Sequence, residues 1–126
     1  MKKEIITTKN APAPIGPYNQ ATKANNTLYI SGQIPADPAT GVIVTSSIED
    51  ETHMVMKNLG AILKAAGLGF DSVLKTSIFI SDMNNFARIN EVYGSYFASD
   101  FPARETVQVS RLPKDVNVEI SAIATF

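Results

Sequence analysis

Residues 102 to 120, PARETVQVSRLPKDVNVEI, decide how the sheet of this protein is interpreted. Two stretches of this segment alternate apolar and polar side chains, as β-strands with one buried face do. Pro113 lies in the turn between the two stretches. We therefore predict an antiparallel hairpin in which Thr106 faces Glu119 and Arg104 lies diagonal to Glu119.

Two interpretations of Arg104 and Glu119 follow from this hairpin. Diagonal neighbours in an antiparallel pair are about 7–8 Å apart, so two long side chains can meet or share a small ligand. The pair is either a cross-strand ion pair on a solvated face, worth about 0–1 kcal/mol, or the two halves of a site. In a site, the arginine would bind a carboxylate and the glutamate would orient water. The pattern alone leaves both interpretations open.

The composition excludes several kinds of function. The chain has 126 residues, which predicts one domain over residues 1–126, and its 11 basic and 12 acidic residues give a net charge of −1. Nucleic acid and membranes are therefore not expected partners. The chain has no cysteine and one histidine, His53, so we expect no metal site. The N-terminus lacks the apolar run of a signal peptide, and we expect a cytoplasmic protein.

The remaining pattern predicts a layer of helices on one sheet. The predicted strands are 4–8, 27–35, 72–80 and the two in 102–122, and the predicted helices run from a capping box at Ser46 and Glu49 to Gly67 and from about 84 to 97. This order favours an α+β or α/β two-layer domain, a sheet backed by two helices. Two helices cover only one face of such a sheet, so the other face meets water or another subunit.

Three residues outside the hairpin are further candidates. Tyr18 ends a stiff segment with three prolines, APAPIGPYNQA, and either packs on the core or lines a cleft. Ser31 and Gly32 interrupt a strand, where a glycine marks a β-bulge or the close approach of a ligand.

The quoted segments also carry a family resemblance. APAPIGPYNQA, YISGQIP, NEVYGSYF and PARETVQVSRLPKDVNVEISAIA occur in this order along the chain and resemble the Rid (reactive intermediate deaminase) family, in its RidA-like branch. The resemblance implies a chorismate-mutase-like α+β fold and a homotrimer that associates through its sheets, with ligand sites in the clefts between subunits. It also implies hydrolysis of 2-aminoacrylate, 2-iminopropanoate and 2-iminobutanoate to 2-keto acids and ammonia, without a cofactor.

The resemblance assigns roles residue by residue. It implies that Arg104 binds the substrate carboxylate, that Glu119 handles the attacking water, and that Tyr18, Ser31 and Gly32 belong to the same site. At the position where the branch commonly has a cysteine, this chain has Thr106, which we expect to contact the substrate through its hydroxyl. Thiol chemistry at this position is therefore excluded.

Other functions compete with hydrolysis. A trimer that binds or senses a small carboxylic acid without turnover would also use Arg104 but would not need Glu119. A ribonuclease or inhibitor of translation is the least favoured, because the chain has no basic stripe.

Overall fold

Six strands and two α-helices make up the computed structural model, which describes residues 2–126. The strands are β1 Glu4–Ile6, β2 Ala21–Ala24, β3 Thr27–Gln33, β4 Val73–Ile80, β5 Ala103–Gln108 and β6 Val118–Thr125, and the helices are α1 Ile48–Ala65 and α2 Phe86–Gly94. Short 3₁₀ turns lie at Phe70–Ser72, Met83–Asn85 and Pro113–Asp115. The predicted α+β fold, one mixed sheet backed by two helices, is confirmed.

The sheet has the order β1-β2-β3-β6-β4-β5. Every neighbouring pair is antiparallel except β4 and β5, which run parallel and are connected through α2. Parallel neighbours need such a crossover because no tight turn can return the chain in the same direction. The last strand, β6, therefore lies between β3 and β4 near the centre of the sheet.

The hydrophobic core lies between the helices and one face of the sheet. Alternate residues of each central strand point into it, as the period of two requires. Its fully buried members include Leu28, Val55, Leu59, Ile62, Ile78, Ile80, Val118 and Ile120. We call this side of the sheet the helix face and the opposite side the free face.

Helix α1 begins one residue later than the capping box predicts. Its N-cap is Ser47, whose side chain accepts a hydrogen bond from the Asp50 backbone N–H at 3.0 Å. Ser46 instead donates to the Asp50 carboxylate at 2.7 Å. Glu49 forms an ion pair with Arg88 of α2, with 2.6 Å between Oε1 and Nη2, and so links the two helices. Two adjacent serines offered two possible caps, and the pattern favoured the wrong one.

Other boundaries also differ from the sequence prediction. Strand β2 was not predicted, and it forms a hairpin with β3 through Asn25, which has a left-handed φ of 54°. Helix α2 is shorter than the predicted 84–97 because a 3₁₀ turn precedes it and the chain leaves helical geometry after Gly94. These differences lie at element ends and in a four-residue strand, where periodicity is weakest.

The predicted hairpin of residues 102–122 is wrong. Strand β5 pairs in parallel with β4, and β6 pairs antiparallel with β4 on the other side. Between them, Lys114 and Asp115 have φ values of 55° and 56°, so the 3₁₀ turn redirects the chain instead of closing a two-strand hairpin. Thr106 is in register with Ile78 of β4, not with Glu119.

The free face of the sheet is covered by no helix in residues 2–126. It carries the exposed Tyr29 and Val107, which are 50% and 41% accessible, and the partly buried Phe79 and Ile123. A sheet face that no helix covers and that exposes large apolar side chains is a candidate interaction surface on a soluble protein. The surface therefore fits the predicted association of subunits through their sheets.

Among residues 2–126 no helix combines the length and the apolar content that a membrane crossing needs.

We expect the chain to form a homotrimer through the free face. Light scattering at micromolar concentration should give three times the 13.6 kDa mass of one chain. Val107→Asp should dissociate the trimer because it puts a charge in the interface, whereas Val42→Asp should not, since exposed Val42 lies in a loop outside the sheet. A wild-type protein that remains a monomer would contradict this prediction.

Candidate functional site

Four of the residues singled out in the sequence lie together on the free face. Tyr18, Ser31, Gly32 and Glu119 line one open cavity of about 550 Å³, which we call the Glu119 cavity. Its other lining residues are Ile15, Ile34, Pro113 and Lys114. The cavity thus joins the proline-rich loop, the end of β3, the turn before β6 and β6 itself.

Glu119 is the acidic group of this cavity. Its register partner on β4 is Phe79, which places its side chain on the free face. Burial raises the pKa of Glu119 above the ordinary value for a glutamate. A carboxylate with a raised pKa is a stronger base, so Glu119 is suited to accept a proton from bound water.

Gly32 makes room for the Glu119 side chain. The register between β3 and β6 shifts between Ile30 and Gln33, so Gly32 lies in a β-bulge. A Cβ atom at position 32 would lie only 2.8 Å from Cδ of Glu119, closer than such atoms approach. The structure therefore shows the bulge, and the group that lies against Gly32 is the Glu119 carboxylate. The close approach of a ligand, the other reason for a glycine here, stays a prediction.

Hydrogen bonds from β3 hold the loop that carries Tyr18. The Ser31 hydroxyl donates to the Asn19 carbonyl at 2.6 Å, and the Ser31 N–H donates to the Gln20 carbonyl at 2.9 Å. The Tyr18 hydroxyl accepts a long hydrogen bond of 3.4 Å from the Ile15 N–H, and its ring is half exposed. Tyr18 is therefore a cavity wall and not a core residue, and its hydroxyl proton is free to donate.

Lys114 is a lining residue that the sequence analysis missed. It carries the only cationic side chain among the lining residues of the Glu119 cavity. Its left-handed backbone is rare for a residue with a side chain and costs about 1–3 kcal/mol. No glycine marks this turn, so the sequence carried no signal for its conformation.

Arg104 lies in a different cavity. This Arg104 cavity, of about 390 Å³, is lined by Asn90, Tyr93, Gly94, Phe101, Pro102 and Arg104. It opens at the edge of the sheet, where β5 meets α2. Arg104 is in register with the buried Thr76 of β4, so its side chain belongs to the helix face.

The guanidinium of Arg104 is held without a counter-charge. It donates from Nη1 to Oδ1 of Asn90 at 2.6 Å and lies 5.4 Å and 5.6 Å from the ring centroids of Tyr93 and Phe86. None of the three ion pairs among residues 2–126 includes it. Arginine has five N–H donors, so an orientated guanidinium remains that can bind a carboxylate through two hydrogen bonds.

Thr106 lies two residues further along β5, on the helix face. Its Oγ1 is buried and has no hydrogen-bond partner among the described residues. An unpaired buried hydroxyl costs about 1–3 kcal/mol. The predicted hairpin placed Thr106 opposite Glu119, whereas in the structure Thr106 aligns with Ile78 and Glu119 with Phe79, on opposite faces of the sheet.

The predicted contact between Arg104 and Glu119 within one chain is wrong, both as an ion pair and as a shared site. Strand β4 separates their strands, which puts them about 10 Å apart across the sheet. Arg104 aligns with Thr76 and Glu119 with Phe79, and these residues of β4 point to opposite faces. Within one chain, Arg104 and Glu119 therefore cannot contact the same small ligand.

Glu51, a buried acid of α1, positions the start of β6, and the sequence analysis did not identify it. Glu51 is only 3% exposed and accepts hydrogen bonds from the Asn117 backbone N–H at 3.2 Å and from its Nδ2 at 2.8 Å. These bonds fix the backbone two residues before Glu119. A signal was present, since Glu51 lies on the apolar stripe of the helix between Ile48 and Val55.

Within the described part of the chain, no three His, Cys, Asp or Glu side chains are grouped so that they could hold a metal ion.

Comparison with known proteins adds a family. The model of the family described as Endoribonuclease L-PSP matches residues 8–126. A RutC family protein of Pyrococcus horikoshii is 57% identical, with 97% of each chain covered. The human protein named 2-iminobutanoate/2-iminopropanoate deaminase is 47% identical, covering 97% of this chain and 89% of its own. The crystal structure of E. coli TdcF with bound serine is 44% identical, with a TM-score of 0.94 and 98% of each chain covered.

Glu119→Gln should increase stability at neutral pH. The folded pKa of Glu119 is raised, so stability falls as pH rises from the ordinary pKa of a glutamate through the raised folded value. Above that pH, burial of the ionised carboxylate destabilises the folded protein, whereas burial of a neutral amide of the same shape does not carry this electrostatic cost. Thermal unfolding should show a higher Tm for Glu119→Gln at pH 7 and no difference in acid below both pKa values.

The exposed Glu4→Gln in β1 is the matched control, and its Tm should follow the wild type at both pH values. A Glu119→Gln protein that is less stable than the wild type at pH 7 would show that the carboxylate has a partner that offsets its burial.

Proposed function

Because this chain belongs to the endoribonuclease L-PSP family, we propose that it hydrolyses 2-imino acids and their enamine tautomers to 2-keto acids and ammonia. The family membership, together with relatives named Reactive Intermediate Deaminase A and 2-iminobutanoate/2-iminopropanoate deaminase, confirms the Rid resemblance of the sequence. The human relative is named for two such substrates, 2-iminobutanoate and 2-iminopropanoate. Serine, which is bound in the E. coli structure, is likewise a small acid with a nitrogen on C2. Nearly the whole chain is covered in both comparisons.

One observation carries the proposal: the Glu119 carboxylate, whose pKa is raised, and the Arg104 guanidinium, which forms no ion pair, lie on opposite faces of the same sheet. The substrate has only three or four carbon atoms, so one chain cannot present both groups to it. If subunits associate through their free faces, the Arg104 edge of one copy is brought to the Glu119 cavity of the next. We infer that each active site is made from two copies.

Arg104 binds the substrate carboxylate in this scheme. Two parallel hydrogen bonds from a planar guanidinium fix both the position and the plane of the carboxylate. The Asn90 amide and the ring faces of Phe86 and Tyr93 restrict the guanidinium before the substrate arrives, so less side-chain entropy is lost on binding. The fixed carboxylate sets the position of the imine carbon, which is bonded to it.

Glu119 activates the water that attacks this carbon. The substrate reacts as the protonated imine: the ionised carboxylate takes a proton from the water as its oxygen bonds to C2, and the C=N electron pair moves to the nitrogen, which becomes a neutral amino group. Glu119 then returns the proton to this amino group, the C–N bond breaks and ammonia leaves, and the carboxylate takes the hydroxyl proton as the C2 carbonyl forms. An enamine such as 2-aminoacrylate enters the same route after protonation at C3. In this scheme the hydroxyl of Tyr18, which lines the same cavity as Glu119, donates to the nitrogen or the added oxygen.

Two other functions remain as outcomes of the test. A small-carboxylate-binding trimer would use Arg104 and leave Glu119 without a chemical role. The family description names an endoribonuclease, but a net charge of −1 does not favour binding to a polyanion. The cytoplasmic location stays a prediction from the sequence.

Arg104→Ala and Glu119→Gln should each reduce imine hydrolysis without unfolding the protein. Loss of the carboxylate clamp should lower kcat/KM about 30- to 1,000-fold, corresponding to about 2–4 kcal/mol. Glu119→Gln should lower kcat, while an unreactive 2-keto acid still binds. Ammonia release from freshly generated 2-iminopropanoate measures both effects, and a wild-type rate in Glu119→Gln would favour the binding function.

Mixing the two variants tests whether the site is shared. In trimers assembled from a 1:1 mixture of the two variants, a site is intact only when its Arg104 comes from a Glu119→Gln copy and its Glu119 from an Arg104→Ala copy. Random assembly should therefore restore about a quarter of the wild-type activity. Mixed trimers that stay as inactive as the parents would show that both residues act within one chain, and each variant refolded alone is the control.

Gly32→Ala should lower activity more than stability. The added methyl group overlaps the Glu119 carboxylate, which is the end of a flexible side chain and can swing away. We expect a loss of about 10-fold or more in kcat and a change in unfolding free energy of about 1 kcal/mol. Gly69→Ala is matched, because its methyl group would also meet a carboxylate oxygen, that of exposed Asp71 at 3.1 Å, outside both cavities. Equal kcat values for the two variants would contradict the role assigned to Gly32.

A further inference from the structure

A second cavity adjoins the Glu119 cavity and has no role in the reaction described so far. This loop cavity, of about 360 Å³, lies between the proline-rich loop from Pro12 to Gln20 and the loop from Gln33 to Gly41. It shares part of its lining with the Glu119 cavity, namely Ile15, Tyr18, Gly32, Ile34 and Lys114. The two spaces are therefore continuous, and a ligand at Glu119 can extend into the loop cavity.

The interior of the loop cavity is suited to apolar groups. The lining amides are already used: Gln20 donates to the Thr8, Ala11 and Pro12 carbonyls at 2.9–3.2 Å, and Gln33 donates to the Ser31 carbonyl at 3.1 Å. The carboxylate of Asp37 accepts from the Ala39 N–H at 2.8 Å. Apart from Lys114, Tyr18 and Thr40, whose Oγ1 accepts from the Val42 N–H at 3.2 Å, the remaining lining residues are alanine, proline, isoleucine and glycine. An apolar guest would leave few polar groups of the wall unpaired.

Buried amides hold both walls in place. Gln20, which is 2% exposed, bonds the loop before it, as just described. Asn58 of α1, which is 1% exposed, donates from Nδ2 to the Ile34 carbonyl at 3.1 Å and to the Ala36 carbonyl at 3.0 Å. The bridge between Ala36 and Ile43 closes the second loop. The cavity is thus preformed, which is typical of small-molecule sites.

We infer that the loop cavity receives the side chain of the substrate imino acid and selects apolar side chains longer than ethyl. This inference rests on the proposed function. The imine carbon is trigonal, and its three substituents are the carboxylate, the nitrogen and the side chain. In the proposed site the carboxylate is bound by Arg104 of one copy, and the nitrogen and the attacking water lie at Glu119 of the next. The side chain therefore points away from both residues. The loop cavity is the space that adjoins Glu119 there. The methyl and ethyl groups of 2-iminopropanoate and 2-iminobutanoate leave most of it empty.

A linear substrate series tests the inference. An L-amino-acid oxidase generates the imines of alanine, 2-aminobutyrate, norvaline and norleucine, and semicarbazide traps what the protein leaves. Burial of each methylene should raise kcat/KM about fourfold along the series. Ala39 lines the loop cavity and not the Glu119 cavity, so Ala39→Leu should abolish the rise and leave 2-iminopropanoate hydrolysis within about twofold of the wild type.

Ala98→Leu, at an exposed position outside both cavities, is the control and should keep the wild-type rise. Ala13→Leu fills the loop cavity from the opposite wall and should act like Ala39→Leu. A wild-type series that is flat or falls, or two filled variants that keep the rise, would overturn the inference and leave the proposed function intact.

Binding of unreactive 2-keto acids separates the two proposals. Calorimetry should show that 2-oxohexanoate binds more tightly than pyruvate, and that Ala39→Leu removes the difference. If no imine of the series is hydrolysed, the proposed function fails, and the keto acids still report whether the cavity selects long side chains. Equal affinity of the wild type for both keto acids would overturn the inference by itself.

Discussion

Two helices cover only one face of this six-stranded sheet, and the rest of the molecule depends on that constraint. The covered face forms the core, where buried polar groups such as Glu51 and Asn58 are hydrogen-bonded within the chain, so side chains that can reach a ligand lie on the free face or at the sheet edge. Glu119 takes the first position and Arg104 the second. The same constraint leaves apolar side chains such as Tyr29 and Val107 exposed. In the proposed assembly, a second copy covers these side chains and supplies the group that one chain lacks at its site.

Periodicity predicted the helices, β3, β4 and the order of the main elements, because their buried faces are long enough to show a period. Strand β2 escaped prediction because four residues do not reveal one. The pairing of β5 with β6 failed for a different reason. Their alternating patterns match, but ARETVQ is almost entirely exposed, as an edge strand should be, whereas VEISAIAT is buried at alternate positions. This contrast in polarity could have shown that β5 is an edge strand and β6 a central one. The prediction instead paired the two strands because they are close in sequence.

The candidate site was predicted as a set of residues more successfully than as a geometry. The family resemblance assigned Tyr18, Ser31 and Gly32 to the same site as Glu119, although they lie 87 to 101 positions from it in sequence. Pattern alone could not, since the contact depends on a β-bulge and on two successive left-handed residues that contain no glycine. The walls of the adjoining cavity depend on Gln20 and Asn58, whose roles appear only when their carbonyl partners are known. Polar residues that serve the backbone carry no periodic signature.

The position of β6 has a consequence for how the chain acquires its structure during synthesis. No ladder joins β3 to β4 directly: both pair with β6, whose last residue is Thr125. Until that residue has left the ribosomal exit tunnel, the two parts of the sheet remain unjoined and their central backbone groups unpaired. A nascent chain that stalls before this point exposes the edges of two incomplete sheets, which are the features that chaperones bind and that promote aggregation. The core can therefore close only after translation has passed its final strand.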